Sequence, residues 1–186
     1  MNTTTSLKYS TKLGMALLAA GLLFAVPNAQ AQANMTKLDV KFLHDAAQGG
    51  LTEVKLGEMA SKKGTTDVVK EFGEQMVKDH GAMNDRLKAL AASKGVALSA
   101  DLDEKHQALV DKLSGLPGSE FDDTYVIDMV KAHESDLKAF QDELGQTQDV
   151  DIQNFVTKSI PVIEAHLKHV AGMQKAPASP NPDVKN

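Results

Sequence analysis

Apolar side chains recur every three or four residues along most of the chain, which is the spacing of one buried face of an α-helix. The pattern predicts four long helices, and no stretch alternates apolar and polar residues for long enough to form a strand. The predicted ranges are 37–63, 67–94, 119–144 and 150–174, with a short helix over 102–113. We therefore predict an all-α fold, a four-helix bundle with a short extra helix in the connection between the second and third long helices.

Capping and breaking residues set the predicted ends of these helices. Thr36 is expected to cap the first helix, and Gly64, followed by two threonines, separates it from the second. Gly145 is expected to end the third long helix, and Pro161 to kink the fourth. The connection between the second and third long helices has about 24 residues. Two topologies are open: a crossover along the bundle, or an up-down-up-down bundle with the short helix as a lid.

One polar side chain that could bind a metal interrupts the apolar face of each long helix. Glu53, His80 and His133 lie within the apolar stripes of the first three long helices. His166 borders the stripe of the fourth. With a rise of about 1.5 Å per residue, all four fall within about two helical turns of one another under the crossover topology, and near the middle of the bundle under the other. The sequence therefore predicts a polar cluster inside the bundle.

One carboxylate and three imidazoles facing inward could bind one transition metal ion: Zn, Fe, Cu or Mn. Buried ionisable groups are costly unless they are paired or coordinate a metal. The alternative is that the histidines are neutral core residues bonded to a carbonyl or carboxylate, with Glu53 accepting from one of them. Two residues are second choices for the site. His169 follows His166 by three positions but points partly outward, and Tyr125 could donate to Glu53 or to a histidine.

Other polar motifs favour structural interpretations. Asp103 and His106 are spaced as a metal pair, but their short helix is polar and a solvated face is expected. His44 is expected on the surface. Acidic residues at the start of the third long helix, Asp122 among them, are interpreted as helix capping. Glycines that share a face of the first helix, such as Gly57, predict close approach of a neighbouring backbone.

The first residues have the features of an export signal. Lys8 and Lys12 precede an apolar run, "LGMALLAAGLLFAV", which is too short to span a bilayer. The segment "NAQAQA" then offers cleavage after Ala31 or Ala33, and an uncleaved anchor is the alternative. We predict a cleavable signal over 1–33 and a periplasmic protein. The bundle is expected over 36–175, and the Pro-rich tail 176–186 is expected to be disordered.

Composition excludes several classes of site and partner. The chain has no cysteine, which excludes thiolate metal sites, covalent c-type haem and cysteine nucleophiles. Its net charge is −5, and the basic residues form no stripe, so no nucleic-acid partner is expected. No membrane-spanning segment is expected in the mature protein. No nucleophile and base pair stands out either, so a hydrolase is not expected, and a non-enzymatic role is favoured over an enzymatic one.

Four stretches resemble a known bacterial family: "EVKLGEMA", "FGEQMVKDHGAMNDRLKALA", "GSEFDDTYVIDMVKAHESDLKAF" and "IPVIEAHLKHV". Its members are exported ferritin-like proteins with a domain of unknown function (number 4142), often labelled outer membrane proteins. The resemblance covers about 38–173. It implies a ferritin-like bundle in which Glu53, His80, His133 and His166 occupy motif positions, and it implies no activity. We do not expect outer membrane association.

The chain departs from di-iron ferritins in one respect. Those proteins use paired Glu-x-x-His motifs, and no glutamate here is followed by histidine at the third position. Two functions are compared on this basis. One is a periplasmic metal-binding or redox-protective bundle that uses Glu53, His80, His133 and His166. The other is a non-enzymatic envelope or stress-related protein that forms a homo-oligomer or binds an envelope partner, and whose core histidines are structural.

Overall fold

The computed structural model describes Met1 and residues 35–175. Apart from Met1, the predicted signal segment lies outside the described residues, and so does the predicted tail. Within 35–175 the chain forms helices and no strand, which confirms the predicted all-α bundle. The five helices are α1 (Lys37–Lys63), α2 (Asp67–Ser93), α3 (Glu104–Ser114), α4 (Gly118–Gln146) and α5 (Val150–Lys175).

The helix ends follow local capping chemistry. Thr36 and Asp39 form a reciprocal capping box at the start of α1, and Thr66 caps α2 by accepting from the backbone N–H of Val69. The prediction that Gly145 ends the third long helix is wrong, because α4 continues to Gln146. A single glycine costs a helix only about 1 kcal/mol, so the hydrogen bonds of the last turn are sufficient to extend it.

Contacts between the helices define two antiparallel hairpins, α1–α2 and α4–α5, which pack against each other through α1 on α4 and α2 on α5. Asp122, near the start of α4, accepts hydrogen bonds from Thr65 in the α1–α2 turn. Lys94, just after α2, pairs at the opposite end with Asp149, just before α5. The connection that contains α3 therefore runs the length of the bundle. The crossover topology is the one adopted.

The contact of Asp122 also corrects its predicted role. Its carboxylate accepts from the backbone N–H groups of Thr65 and Thr66, so it ties down the α1–α2 turn. The N-cap of its own helix is Pro117, which makes no side-chain capping bond. The carboxylate of the fifth residue of one helix can thus serve the start of a neighbouring helix when the topology brings the two ends together.

The apolar core has two halves, one toward the α1–α2 turn and one toward the opposite end. The first half is built around Phe72, Met76, Tyr125 and Met129. The second half contains Phe140, Phe155 and Ile163, among others. The predicted polar residues of the four long helices lie between the two halves. The fold therefore places a buried polar layer across the middle of the bundle.

Candidate metal centre

Three histidines from three helices meet in this polar layer. His80 lies on α2, His133 on α4 and His166 on α5, and all three are buried, with relative exposures of 2%, 0% and 0%. Each can offer one ring nitrogen to a common centre, and these three nitrogen atoms lie within 4.8 Å of one another. The structure therefore brings together the three histidines that the apolar stripes singled out.

In His133 and His166, a hydrogen bond at one ring nitrogen determines that the other nitrogen is free to bind a metal. Nδ1 of His133 is 2.8 Å from the carbonyl oxygen of Met129, which can only accept, so Nδ1 carries the proton. Nε2 of His133 is then a bare acceptor, and it is buried without any hydrogen-bond partner. Nε2 of His166 lies 3.0 Å from Oδ2 of Asp79 and donates to it, which leaves Nδ1 of His166 as its bare nitrogen.

The state of His80 depends on the proton of Glu53. Nδ1 of His80 lies 2.8 Å from Oε2 of Glu53, and Nε2 of His80 lies 3.2 Å from Nδ1 of His166. When Glu53 is ionised, His80 donates to it through Nδ1, and bare nitrogens of His80 and His166 then face each other. When Glu53 is protonated, a continuous chain of donors runs from Glu53 through His80 and His166 to Asp79. The acceptor Nε2 of His133 has no donor in either arrangement.

Burial keeps all three imidazoles neutral at neutral pH. Burial lowers the pKa of His80 to about 4, although the charges of Asp136 and Asp79 act in the opposite direction. Burial is also the largest cause that lowers the pKa of His133 and the pKa of His166. Neutral imidazole is the form that ligates a metal, so these shifts favour the ligand state.

Glu53 lies against the outer nitrogens of the histidine cluster. Its Oε2 contacts Nδ1 of His80, and its Oε1 is 3.5 Å from Nδ1 of His133. In both rings, Nδ1 lies on the side away from Nε2, the nitrogen that is available to bind a metal. In this geometry Glu53 orients the ring of His80, which is how carboxylates commonly act behind metal-bound histidines, while the carbonyl of Met129 holds the ring of His133.

Asp136 is a member of the site that the sequence analysis missed. It follows His133 by three positions on α4, and its carboxyl group lies within hydrogen-bond reach of that of Glu53. Burial raises the pKa of Glu53. Burial, followed by the charge of Glu53, raises the pKa of Asp136 well above its usual value. The spacing of Asp136 from His133 was the available signal, but an aspartate flanking an apolar stripe normally faces solvent.

The two second-choice residues lie outside the cluster. His169 is exposed, its Nδ1 is 3.2 Å from Oε1 of Gln75, and its ring packs edge-on against Phe72. The hydroxyl of Tyr125 is buried but has no hydrogen-bond partner, so the prediction that it donates to Glu53 or a histidine is wrong. Its ring stacks on Phe121 and contacts Phe72, so packing positions it.

The remaining polar motifs have structural roles. Asp103 caps α3 by accepting from the backbone N–H of His106, and its carboxylate also contacts Nδ1 of that ring in an exposed position. His44 is exposed, as expected. Neither brings further ligands to the buried cluster.

Comparison with known proteins identifies a family and a fold. The family model described as "Domain of unknown function (DUF4142)" matches residues 24–173. The crystal structure of a DUF305 fragment from Deinococcus radiodurans is similar, with a TM-score of 0.66 and 13% sequence identity. That similarity covers 75% of this chain and 96% of the fragment, and at this identity it supports the fold alone. No curated protein matches the chain. Among the helices of the described residues, none combines the length and the apolar character needed to cross a membrane.

Proposed function

We propose, from the premise that the chain belongs to the DUF4142 family of domains of unknown function, that it is an exported metal-binding bundle. It binds one transition metal ion through His80, His133 and His166. The observation that carries the proposal is the orphaned Nε2 of His133. A buried acceptor without a donor costs about 1–3 kcal/mol, and a metal ion bound by the three imidazoles removes that cost.

The donor set favours particular metals. Three neutral imidazoles without thiolates suit Zn²⁺, Cu or Fe, whereas Mn²⁺ prefers oxygen ligands. In a tetrahedral site with metal–nitrogen bonds of about 2.0–2.1 Å, two ligand nitrogens are about 3.3 Å apart. The facing nitrogens of His80 and His166 are already 3.2 Å apart. Little rearrangement of these two rings is needed to accept such an ion.

The groups behind the histidines support the same proposal. The carbonyl of Met129 and the carboxylates of Glu53 and Asp79 each hold the outer nitrogen of one ring. This is the arrangement that fixes tautomer and ring orientation around a bound metal, and it raises the basicity of the ligands. The role proposed for Glu53 is therefore to orient His80 rather than to ligate the metal ion bound by the three histidines.

The ferritin-like character and the export of the protein belong to the same proposal. Two antiparallel hairpins joined by one long crossover are the arrangement of ferritin-like bundles. Export to the periplasm rests on Lys8, Lys12, the short apolar run and the two cleavage sites that follow it. We assign the protein no catalytic reaction, because the buried layer offers ligands and no nucleophile.

Elemental analysis of the mature protein tests this function. The protein is purified from its native compartment without a histidine tag or chelator. His80→Ala and His133→Ala are prepared alongside it, with His44→Ala, at an exposed position of α1, as the matched control. We expect one transition metal ion per chain in the wild type and in the control, and loss of that ion in both cluster variants. A wild-type protein that contains no metal and takes up none of Zn, Cu, Fe or Mn would contradict the proposal.

One observation favours a second candidate function. When Glu53 is protonated, a continuous chain of hydrogen bonds runs from buried Glu53 through His80 and His166 to the partly exposed Asp79. In this candidate the network is structural, and the protein acts through its surface as an envelope interaction protein. The variant His133→Ala would then change the stability of the protein and leave its metal content unaffected.

A further inference from the structure

A second polar layer lies one helical turn away from the three histidines, toward the end of the bundle opposite the α1–α2 turn. Asn84 follows His80 by four residues on α2, and Asp136 follows His133 by three on α4. Gly49 and Gly50 precede Glu53 on α1. Because α1 runs antiparallel to α2 and α4, these offsets all lead toward the same end.

This layer borders a small, partly open chamber of about 10 Å³, close to the volume that one water molecule needs. Its polar wall is formed by Glu53, His80, Asn84 and Asp136. Its apolar wall includes Phe140, Phe155 and Ile163 from the second half of the core. The chamber therefore adjoins the histidine cluster and has its own set of oxygen donors.

Gly50 on α1 makes room for one of those donors. A Cβ atom at Gly50 would lie 2.1 Å from the amide oxygen of Asn84, so a side chain there would displace the amide. A Cβ atom at Gly49 would lie 3.8 Å from Oδ1 of Asp136, which is an ordinary van der Waals contact. Gly50 thus has a more specific role than backbone approach, since it allows the amide of Asn84 to lie flat against α1 beside the chamber.

The two carboxyl groups in the chamber require a partner that the protein does not provide. The carboxyl groups of Glu53 and Asp136 lie within hydrogen-bond reach of each other, and two carboxylates have no proton to donate. Glu53 is 3% exposed, and its Oε1 has no hydrogen-bond donor. Either a shared proton or a cation must lie between the two groups, because buried like charges in contact repel.

We propose that this chamber is a second cation site, formed by Glu53, Asp136 and the amide oxygen of Asn84. It takes a divalent cation that prefers oxygen ligands, and Glu53 links it to the outer nitrogen of His80. The inference extends the proposed function, since the two sites share Glu53. Because its ligands are oxygen atoms, this site selects different metals from the imidazole site.

A two-metal titration tests the second site. Protein first saturated with Zn²⁺ is titrated with Mn²⁺, and free Mn²⁺ is followed by electron paramagnetic resonance. The variants are Asp136→Asn and, as the matched control, Asp142→Asn at an exposed position of the same helix. We expect one bound Mn²⁺ per chain in the wild type and in Asp142→Asn. We expect at least a tenfold loss of Mn²⁺ affinity in Asp136→Asn, with Zn²⁺ still bound.

Each outcome bears on a separate claim. Wild-type protein that holds Zn²⁺ but binds no Mn²⁺ overturns the second site and leaves the histidine site standing, and the shared proton is then the correct interpretation of the carboxyl pair. Equal Mn²⁺ binding by Asp136→Asn and the wild type also overturns it. Failure to bind Zn²⁺ overturns the proposed function instead. In that case the same Mn²⁺ titration on zinc-free protein decides the second site alone.

Discussion

At the scale of single residues, Glu53 links the two polar layers. Its Oε2 contacts the outer nitrogen of His80, and its carboxyl group also reaches Asp136. The apolar stripes predicted Glu53 and the three histidines, because a polar residue within a buried face stands out at helical spacing. They could not predict Asp136, because its contact with the carboxyl group of Glu53 depends on how α1 packs against α4. They also gave Glu53 the role of a ligand, although the structure places it behind the rings.

Replacement of Glu53 by glutamine separates its electrostatic role from its packing role. Metal affinity should fall by roughly 10–100-fold, because the amide holds the ring of His80 with the same shape but without charge. The metal-free variant should unfold at no lower denaturant concentration than the wild type, because a neutral group replaces a buried carboxyl group. Competition titration with a chelator and urea unfolding measure the two effects.

Glu58→Gln, at an exposed position of the same helix, is the control for that variant and should change neither quantity. Unchanged metal affinity in Glu53→Gln would show that Glu53 does not orient the site. A strong loss of stability in the metal-free variant would show that its carboxylate is a structural requirement.

At the scale of helices, the α1–α2 hairpin depends on two facing glycines. A Cβ atom at Gly57 would lie 2.8 Å from the carbonyl oxygen of Gly73, and one at Gly73 would lie 2.6 Å from the carbonyl oxygen of Gly57. The sequence predicted this close approach from the glycines of the first helix. It could not predict that α4 continues past Gly145, because the hydrogen bonds of the last turn outweigh the small propensity cost of one glycine.

Alanine at Gly57 should weaken the hairpin. The added methyl group must push two backbones apart, so the free energy of unfolding should fall by about 1–3 kcal/mol. Gly81→Ala on α2 is the matched control, because no atom lies within 4 Å of its Cβ position. That control should gain up to about 1 kcal/mol from helix propensity. Urea unfolding of both variants checks the difference, and equal stabilisation by both would contradict the close packing.

At the scale of the whole molecule, the topology depends on contacts between helix ends that are distant in sequence. Asp122 joins the start of α4 to the α1–α2 turn, and Lys94 joins the end of α2 to the start of α5. The helical pattern predicted the bundle but left two topologies open, because both place the polar residues near its middle. The connection that contains α3 is long enough for a crossover. The contacts of Asp122 and Lys94 at the two ends of the bundle distinguish the crossover from the up-down-up-down topology.

A buried carboxyl group, that of Glu143, lies at the end of the bundle opposite the α1–α2 turn and should make the stability of the bundle depend on pH. Burial raises the pKa of Glu143 from 4.5 to about 7, with a smaller contribution from Asp39 beside it. The folded state therefore holds a proton that the unfolded chain releases above pH 4.5. The stability contributed by this proton is complete below that pH and is lost as the pH rises through about 7.

Glu143→Gln should remove this part of the pH dependence. At pH 8 the variant should be more stable than the wild type by on the order of 1–2 kcal/mol, and at pH 4 the two should be alike. Glu134→Gln, exposed on the same helix, is the control. Urea unfolding across this pH range measures the difference. Parallel stability profiles for Glu143→Gln and the wild type would contradict the assignment.

The most direct test of the central claim locates the metal itself. Crystals of the mature protein grown with Zn²⁺ are measured on both sides of the zinc absorption edge. We expect an anomalous peak inside the bundle, about 2.0–2.1 Å from one nitrogen each of His80, His133 and His166. Peaks confined to exposed residues such as His169 or His44, with an empty centre, would contradict it. The histidine cluster would then be a structural network of the core.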